Sequence, residues 1–145
     1  MREQGDGLAD GRRDDGTARM LVLTLPPPMM PGANSRTHWR VRHRAAQHDR
    51  YVAATLALAE MRKSASWEPI RRATVSVKWH GRGCLPDVDN IGGRTKAFLD
   101  GLTDARVWID DRAVASIEFA VERVKPPTQP HVVLLIKESF DVPVP

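Results

Sequence analysis

Ala73-Thr-Val-Ser-Val-Lys-Trp-His80, the turn Gly81-Arg-Gly83 and Asp87-Val-Asp-Asn-Ile-Gly-Gly-Arg-Thr-Lys-Ala-Phe-Leu-Asp-Gly-Leu-Thr103 decide the fold. Val75, Val77 and Trp79 recur at every second position, the period of a half-buried strand. Gly81 and Gly83 break it. Ile91, Thr95, Phe98, Leu99 and Leu102 then fall on one face of a helix. Gly92-Gly93 weakens the first turn, so regular helix is expected only from about Arg94.

Working outward, Met20-Leu-Val-Leu-Thr-Leu25 reads as an earlier strand. Pro26-Pro-Pro28 and Pro31-Gly32 end it and open a loop. From about His43 to Ala65, Tyr51, Ala54, Thr55, Leu58 and Met61 lie at helical spacing. Val114 to Val124 alternates as a third strand, Pro126-Pro127 turns the chain, and His131 to Lys137 is a nearly continuous apolar run. The order β-α-β-α-β-β predicts an α+β fold, a mixed sheet with both helices packed on one face. At 145 residues, 41% of them hydrophobic, the chain has the size of one domain with a core of its own. Residues 1–19 hold almost no large apolar side chain. They are expected to form a disordered tail ahead of a domain spanning residues 20–140.

Formal net charge is +4, and the charge is unevenly placed. Arg36, Arg40, Arg42, Arg44 and Arg50 share a 15-residue window with a single acid, Asp49. Clustered arginine suits a polyanion. No stretch has the apolar length of a membrane span, and the N-terminus lacks the apolar centre of a secretory signal. The single cysteine, Cys84, excludes an internal disulfide. A cytoplasmic protein is the expectation.

Asp87 and Asp89 stand two residues apart, directly before the helix. In an extended segment such a pair points the same way. Like charges that close disfavour double ionisation unless a cation lies between them, and Mg²⁺ takes oxygen ligands. Asp110-Asp111 follows the helix and holds a candidate third acid, although spacing alone does not return it to the first two. Each feature has a plainer explanation. Asp-x-Asp before a helix is often a cap with a first-turn carboxylate, and Asp-Asp is often a turn. Lys96 could face a phosphate or pair with Asp100 one turn on. His38, His43, His48, His80 and Cys84 match no zinc spacing. Trp39 could stack on a base.

The run Asp87 to Thr103, followed by Trp108-Ile-Asp-Asp111, resembles the RusA-type Holliday junction resolvases. Leu23-Thr-Leu-Pro26 and Asn34-Ser-Arg36 are similar to that family's first strand and loop. Together the resemblance covers about residues 20–137. It implies a RusA-like fold and a Mg²⁺-dependent endodeoxyribonuclease that acts as a homodimer on four-way DNA junctions, in DNA recombination and repair. It further implies metal binding by Asp87, Asp89 and Asp111, with Lys96 as the family lysine. A three-residue insertion, Gly92 to Arg94, displaces that lysine from its usual spacing. Asn34, Arg36, Arg40, Arg42 and Arg44 are expected to hold DNA phosphates. Two other readings use the same residues: a DNA-binding protein without catalysis, and a metal nuclease for other branched DNA.

Overall fold

The computed structural model describes residues 18–32 and 35–140. The elements run β1 (Met20–Leu25), α1 (Trp39–Met61), β2 (Ala73–Gly81), α2 (Val88–Asp104), β3 (Val114–Arg123) and β4 (His131–Glu138). A short 3₁₀ turn, Asp111–Ala113, leads into β3. The expected order is therefore the observed one, in an α+β fold with one four-stranded mixed sheet. Among the described residues no helix is long and apolar enough to cross a membrane.

Strand order is β1-β4-β2-β3. β4 lies antiparallel between β1 and β2, while β2 and β3 are parallel. β1 and β2 therefore run the same way, and α2 is the crossover a parallel pair requires. The inward set is one alternating face: Leu21, Leu23 and Leu25 of β1, Val75, Val77 and Trp79 of β2, Val132, Leu134 and Ile136 of β4. Ile91, Phe98 and Leu102 of α2 close over it, with Trp108 and Ile70 sealing one end. Both helices cover that face, and the other face of the sheet is left without a helix.

Two expectations of detail are corrected. Helix α2 includes Gly92 and Gly93, because burial of Ile91 and Thr95 on either side outweighs the weak propensity of glycine. Gly92 has its own use: a Cβ there would stand 3.4 Å from the Phe119 ring of β3. In α1, the residues whose spacing marks the helix are not those it buries. Tyr51, Thr55 and Leu58 are exposed; Ala45, Asp49, Ala53 and Ala57 face inward. Small side chains face inward because α2 comes very close. A Cβ on Gly101 would collide with the carbonyl oxygen of Arg50 and meet the Ala53 methyl at 3.0 Å. Arg50 and Asp104 tie the same level of the two helices through an exposed ion pair, Nη2 to Oδ1 at 2.7 Å.

The domain also begins earlier than Met20. Arg19 is buried, donates from Nη2 to Glu138 Oε2 at 2.9 Å and lies over the Trp67 ring. It belongs to the fold, and the rest of the expected tail, up to residue 17, lies outside the described residues. On the open face, His80 of β2 stacks on His131 of β4 with ring centroids 4.4 Å apart. Partial burial, then the neighbouring His131, lowers the His80 pKa, against a weaker opposite pull from Glu122.

Replacing Gly101 by valine is expected to lower Tm by on the order of 5–10 °C, because overpacking here pushes on backbone. Thermal denaturation followed by circular dichroism checks it, and an unchanged Tm would show that the helices separate freely. A second measurement concerns pH. The folded state binds the His80 proton less readily than the unfolded chain does. The stability this contributes is complete above the unfolded pKa of 6.5 and is lost as pH falls below it. Urea midpoints measured between pH 7.5 and 5 should fall less steeply for His80→Gln than for the parent protein.

Candidate functional site

Asp87 and Asp89 sit where β2 has delivered the chain to the start of α2. Asp87 is the N-cap residue, yet its side chain accepts no capping hydrogen bond. Asp89 is the second residue of the helix, so the pair does not share one extended segment as expected. Both side chains are exposed, and neither has a partner among the described residues. The capping explanation therefore fails for Asp87. For Asp89 a favourable helix dipole remains.

The basic window arrives at the same end of the sheet. α1 starts beyond the carboxyl end of β1 and packs alongside α2, since Arg50 meets Asp104 and Ala53 meets Gly101. Each helix follows a strand, and β1 and β2 run the same way, so the chain leaves both strands at the same end of the sheet. Asp49 of α1 and Arg94 of α2 hold the start of the intervening loop against the helices. Asp49 is only 2% exposed and accepts from the Met29 and Met30 amides at 2.9 and 3.0 Å. Arg94 Nε, from the first turns of α2, donates to Met30 O at 3.1 Å, while its guanidinium lies 4.7 Å over the Trp79 ring.

The expected phosphate contacts divide accordingly. Arg36, Arg40 and Arg44 are exposed and carry no ion pair among the described residues. Arg42 is different: its Nη2 donates to the carbonyls of Gly32 and Ser35 at 2.8 and 3.0 Å, closing the loop instead of facing a ligand. Asn34 lies outside the described residues. Asp49 and Arg94 were not anticipated as anchors. The signal was present for Asp49, the sole acid among five arginines; nothing in the sequence marked it as buried.

Asp111 is elsewhere. β3 is parallel to β2, with Val114 beside Ala73, so Asp111 stands at the opposite end of the sheet from Asp87. Fourteen helical residues separate Asp89 from Thr103, which puts Asp111 about 20 Å from the first two acids. The expected meeting of three aspartates within one chain is thereby corrected. The described residues of one chain hold no group of three His, Cys, Asp or Glu side chains able to bind a metal, so one protomer does not by itself fit Mg²⁺. Asp110 caps the 3₁₀ turn by accepting from the Arg112 amide at 2.8 Å; both acids are exposed, and Asp111 is the one whose side chain makes no such bond among the described residues. Lys96 does not face Asp87 or Asp89. It lies two helical turns from Asp89, about 10 Å along the axis, and pairs with Asp100 at 3.2 Å. Lys96 and Asp111 open instead on one groove of about 280 Å³ between α2 and edge strand β3, floored by Leu99, Trp108, Ile117 and Phe119.

What the chain presents is an α+β domain with a four-stranded mixed sheet and two exposed carboxylates at the start of α2. It belongs to one family with an uncharacterized protein of Xylella fastidiosa (strain Temecula1 / ATCC 700964). The two are 32% identical over 117 residues, covering 76% of this chain and 72% of that protein. No family model matches the chain. Among solved structures it is similar to part of a HypE–HypF complex, with TM-score 0.38 and 11% identity, covering 97% of this chain and 39% of that one. For E. coli HypE, a hydrogenase maturation protein, the TM-score is 0.33 at 14% identity, over 95% of this chain and 35% of that one. The chain spans well under half the length of these proteins, and likeness at that level carries no functional argument.

If the Asp87 side chain caps nothing, Asp87→Ala should leave Tm within about 2 °C of the parent, where losing a working cap costs ~1 kcal/mol. A fall of 5 °C or more would assign Asp87 to the fold and remove it from the site.

Proposed function

We propose that the protein is a DNA endonuclease of the RusA type, acting on branched DNA, with each site shared between two copies of the chain. One observation carries the reading: Asp87 and Asp89, which follow β2, are exposed with side chains left uncommitted, and exposed Arg36, Arg40 and Arg44 follow β1, which runs the same way. A carboxylate pair there repels phosphate unless a cation lies between, and Mg²⁺ is the cation that combines oxygen ligands with retained water.

The distant Asp111 is then supplied by symmetry. In a two-fold dimer the same patch serves both partners. An axis crossing α2 near its midpoint sets the N-terminus of one α2 beside the C-terminal end of the other. Asp111 of one protomer is thereby carried toward Asp87 and Asp89 of its partner. The groove between α2 and β3 has the apolar floor for such a contact, and β3 is an open edge. Two identical sites related by a two-fold axis suit paired cuts in a four-way junction. The motif order from Asp87 to Asp111 supports this substrate over other branched DNA. A DNA-binding protein without catalysis remains the second reading, favoured by the arginines alone.

A mixing experiment tests it. Asp89→Asn and Asp111→Asn proteins should each fail to nick a synthetic four-way junction in Mg²⁺. Dissociated and reassociated in equal amounts, they should recover about a quarter of parental activity, because half the dimers are mixed and each restores one of two sites. No recovery, with dimers present, would rule out a shared site; full activity of either variant alone would remove that aspartate.

A further inference from the structure

Helix α1 turns a surface outward that begins with two arginines of the proposed site, Arg40 and Arg44, and extends beyond them to side chains that cleavage does not use. Arg40, Arg44, Gln47 and Tyr51 project along one line of the helix, at spacings of four, three and four residues. Trp39 precedes them at the first turn and His48 flanks them. Tyr51 is 71% exposed and Trp39 65%, unusual for large rings that a fold of this size has every means to bury. The Arg40 guanidinium lies 5.4 Å over the Trp39 ring. The acids of α1 do not oppose this line: Asp49 is buried on the inward side, bound to the loop amides, and Glu60 lies at the far end, paired with Lys63 at 2.9 Å. From Arg40 to Tyr51 the line is about 16 Å long.

Cations alone suit any DNA backbone. Exposed rings interleaved with cations suit unpaired bases, because a base inside a duplex offers no free face for stacking. We infer that this face of α1 binds a single DNA strand, its phosphates on Arg40 and Arg44 and its bases stacked on Trp39 and Tyr51. The strand leaves the Asp87–Asp89 end and follows α1 toward Tyr51. The inference rests on the DNA reading above and names the feature of the DNA recognised: an unpaired strand next to the branch. It needs neither Asp111 nor a metal.

The test is binding without cleavage. Fluorescence anisotropy in EDTA compares the full chain on a labelled duplex bearing a 12-nucleotide single-stranded tail with the same duplex made blunt. The tailed form should bind at least tenfold more tightly. Tyr51→Ala and Trp39→Ala should each weaken tailed binding by roughly five- to a hundredfold and leave blunt binding unchanged. Arg44→Gln should weaken both and reduce the slope of log affinity against log salt by about one. Equal affinity for tailed and blunt DNA overturns the inference, as does a Tyr51→Ala protein that folds normally and binds the tail like the parent. Loss of nicking with tail preference intact refutes only the nuclease; nicking with no tail preference refutes only the strand site.

Discussion

Parallel pairing of β2 with β3 governs where the chemistry of this protein can lie. A parallel neighbour cannot be reached by a tight turn; the chain has to travel back along the full length of the sheet. Helix α2 makes that return. Residues at its start, Asp87 and Asp89, and Asp111 in the 3₁₀ turn before β3 are therefore held at opposite ends by hydrogen bonding between β2 and β3. No change of side-chain rotamer spans about 20 Å, when a carboxylate reaches only a few ångströms from its Cα. A site using all three acids has to be assembled from more than one chain.

A second constraint is the near contact of the middle of α1 with the last turn of α2 at Gly101. Close approach of backbones there lets Arg50 reach Asp104. Asp49 then fixes the Met29–Met30 amides from one helix, and Arg94 holds the Met30 carbonyl from the other. Bonds from a buried carboxylate to two amides fix Met29 and Met30 against α1. Arg42 Nη2 is taken up by the carbonyls of Gly32 and Ser35, whereas Arg36, Arg40 and Arg44 are exposed with no ion pair among the described residues.

How much of this was legible in the sequence follows from which forces are local. Val75, Val77 and Trp79 announce β2 because alternation is a property of the strand itself. Ile91, Thr95, Phe98 and Leu102 announce α2 in the same way. The inward face of α1 was not legible, since Ala45, Ala53 and Ala57 are buried for their smallness against a neighbour that only the tertiary fold supplies. Nor was the role of Arg19, which looks like one more charge in a polar tail until Glu138, 119 positions away, closes on it. The candidate site shows the same division. Two acids adjacent in sequence are adjacent in space, whereas the position of Asp111 depended on strand direction, which no residue pattern encodes.

The two readings of the site differ in what they make of the carboxylates. A protein that only binds DNA gains from every cation near the backbone and loses from every uncompensated anion beside it. Asp87 and Asp89 are exposed and their side chains are unpaired among the described residues, so for simple binding to a polyanion they are a defect. Neither is needed to cap α2 by its side chain in the case of Asp87, and serine or asparagine would cap without the charge. The defect disappears when a divalent cation reverses the local field and the phosphate becomes a ligand rather than a repelled neighbour. That asymmetry, more than the arginines, separates a nuclease from a binding protein in this fold.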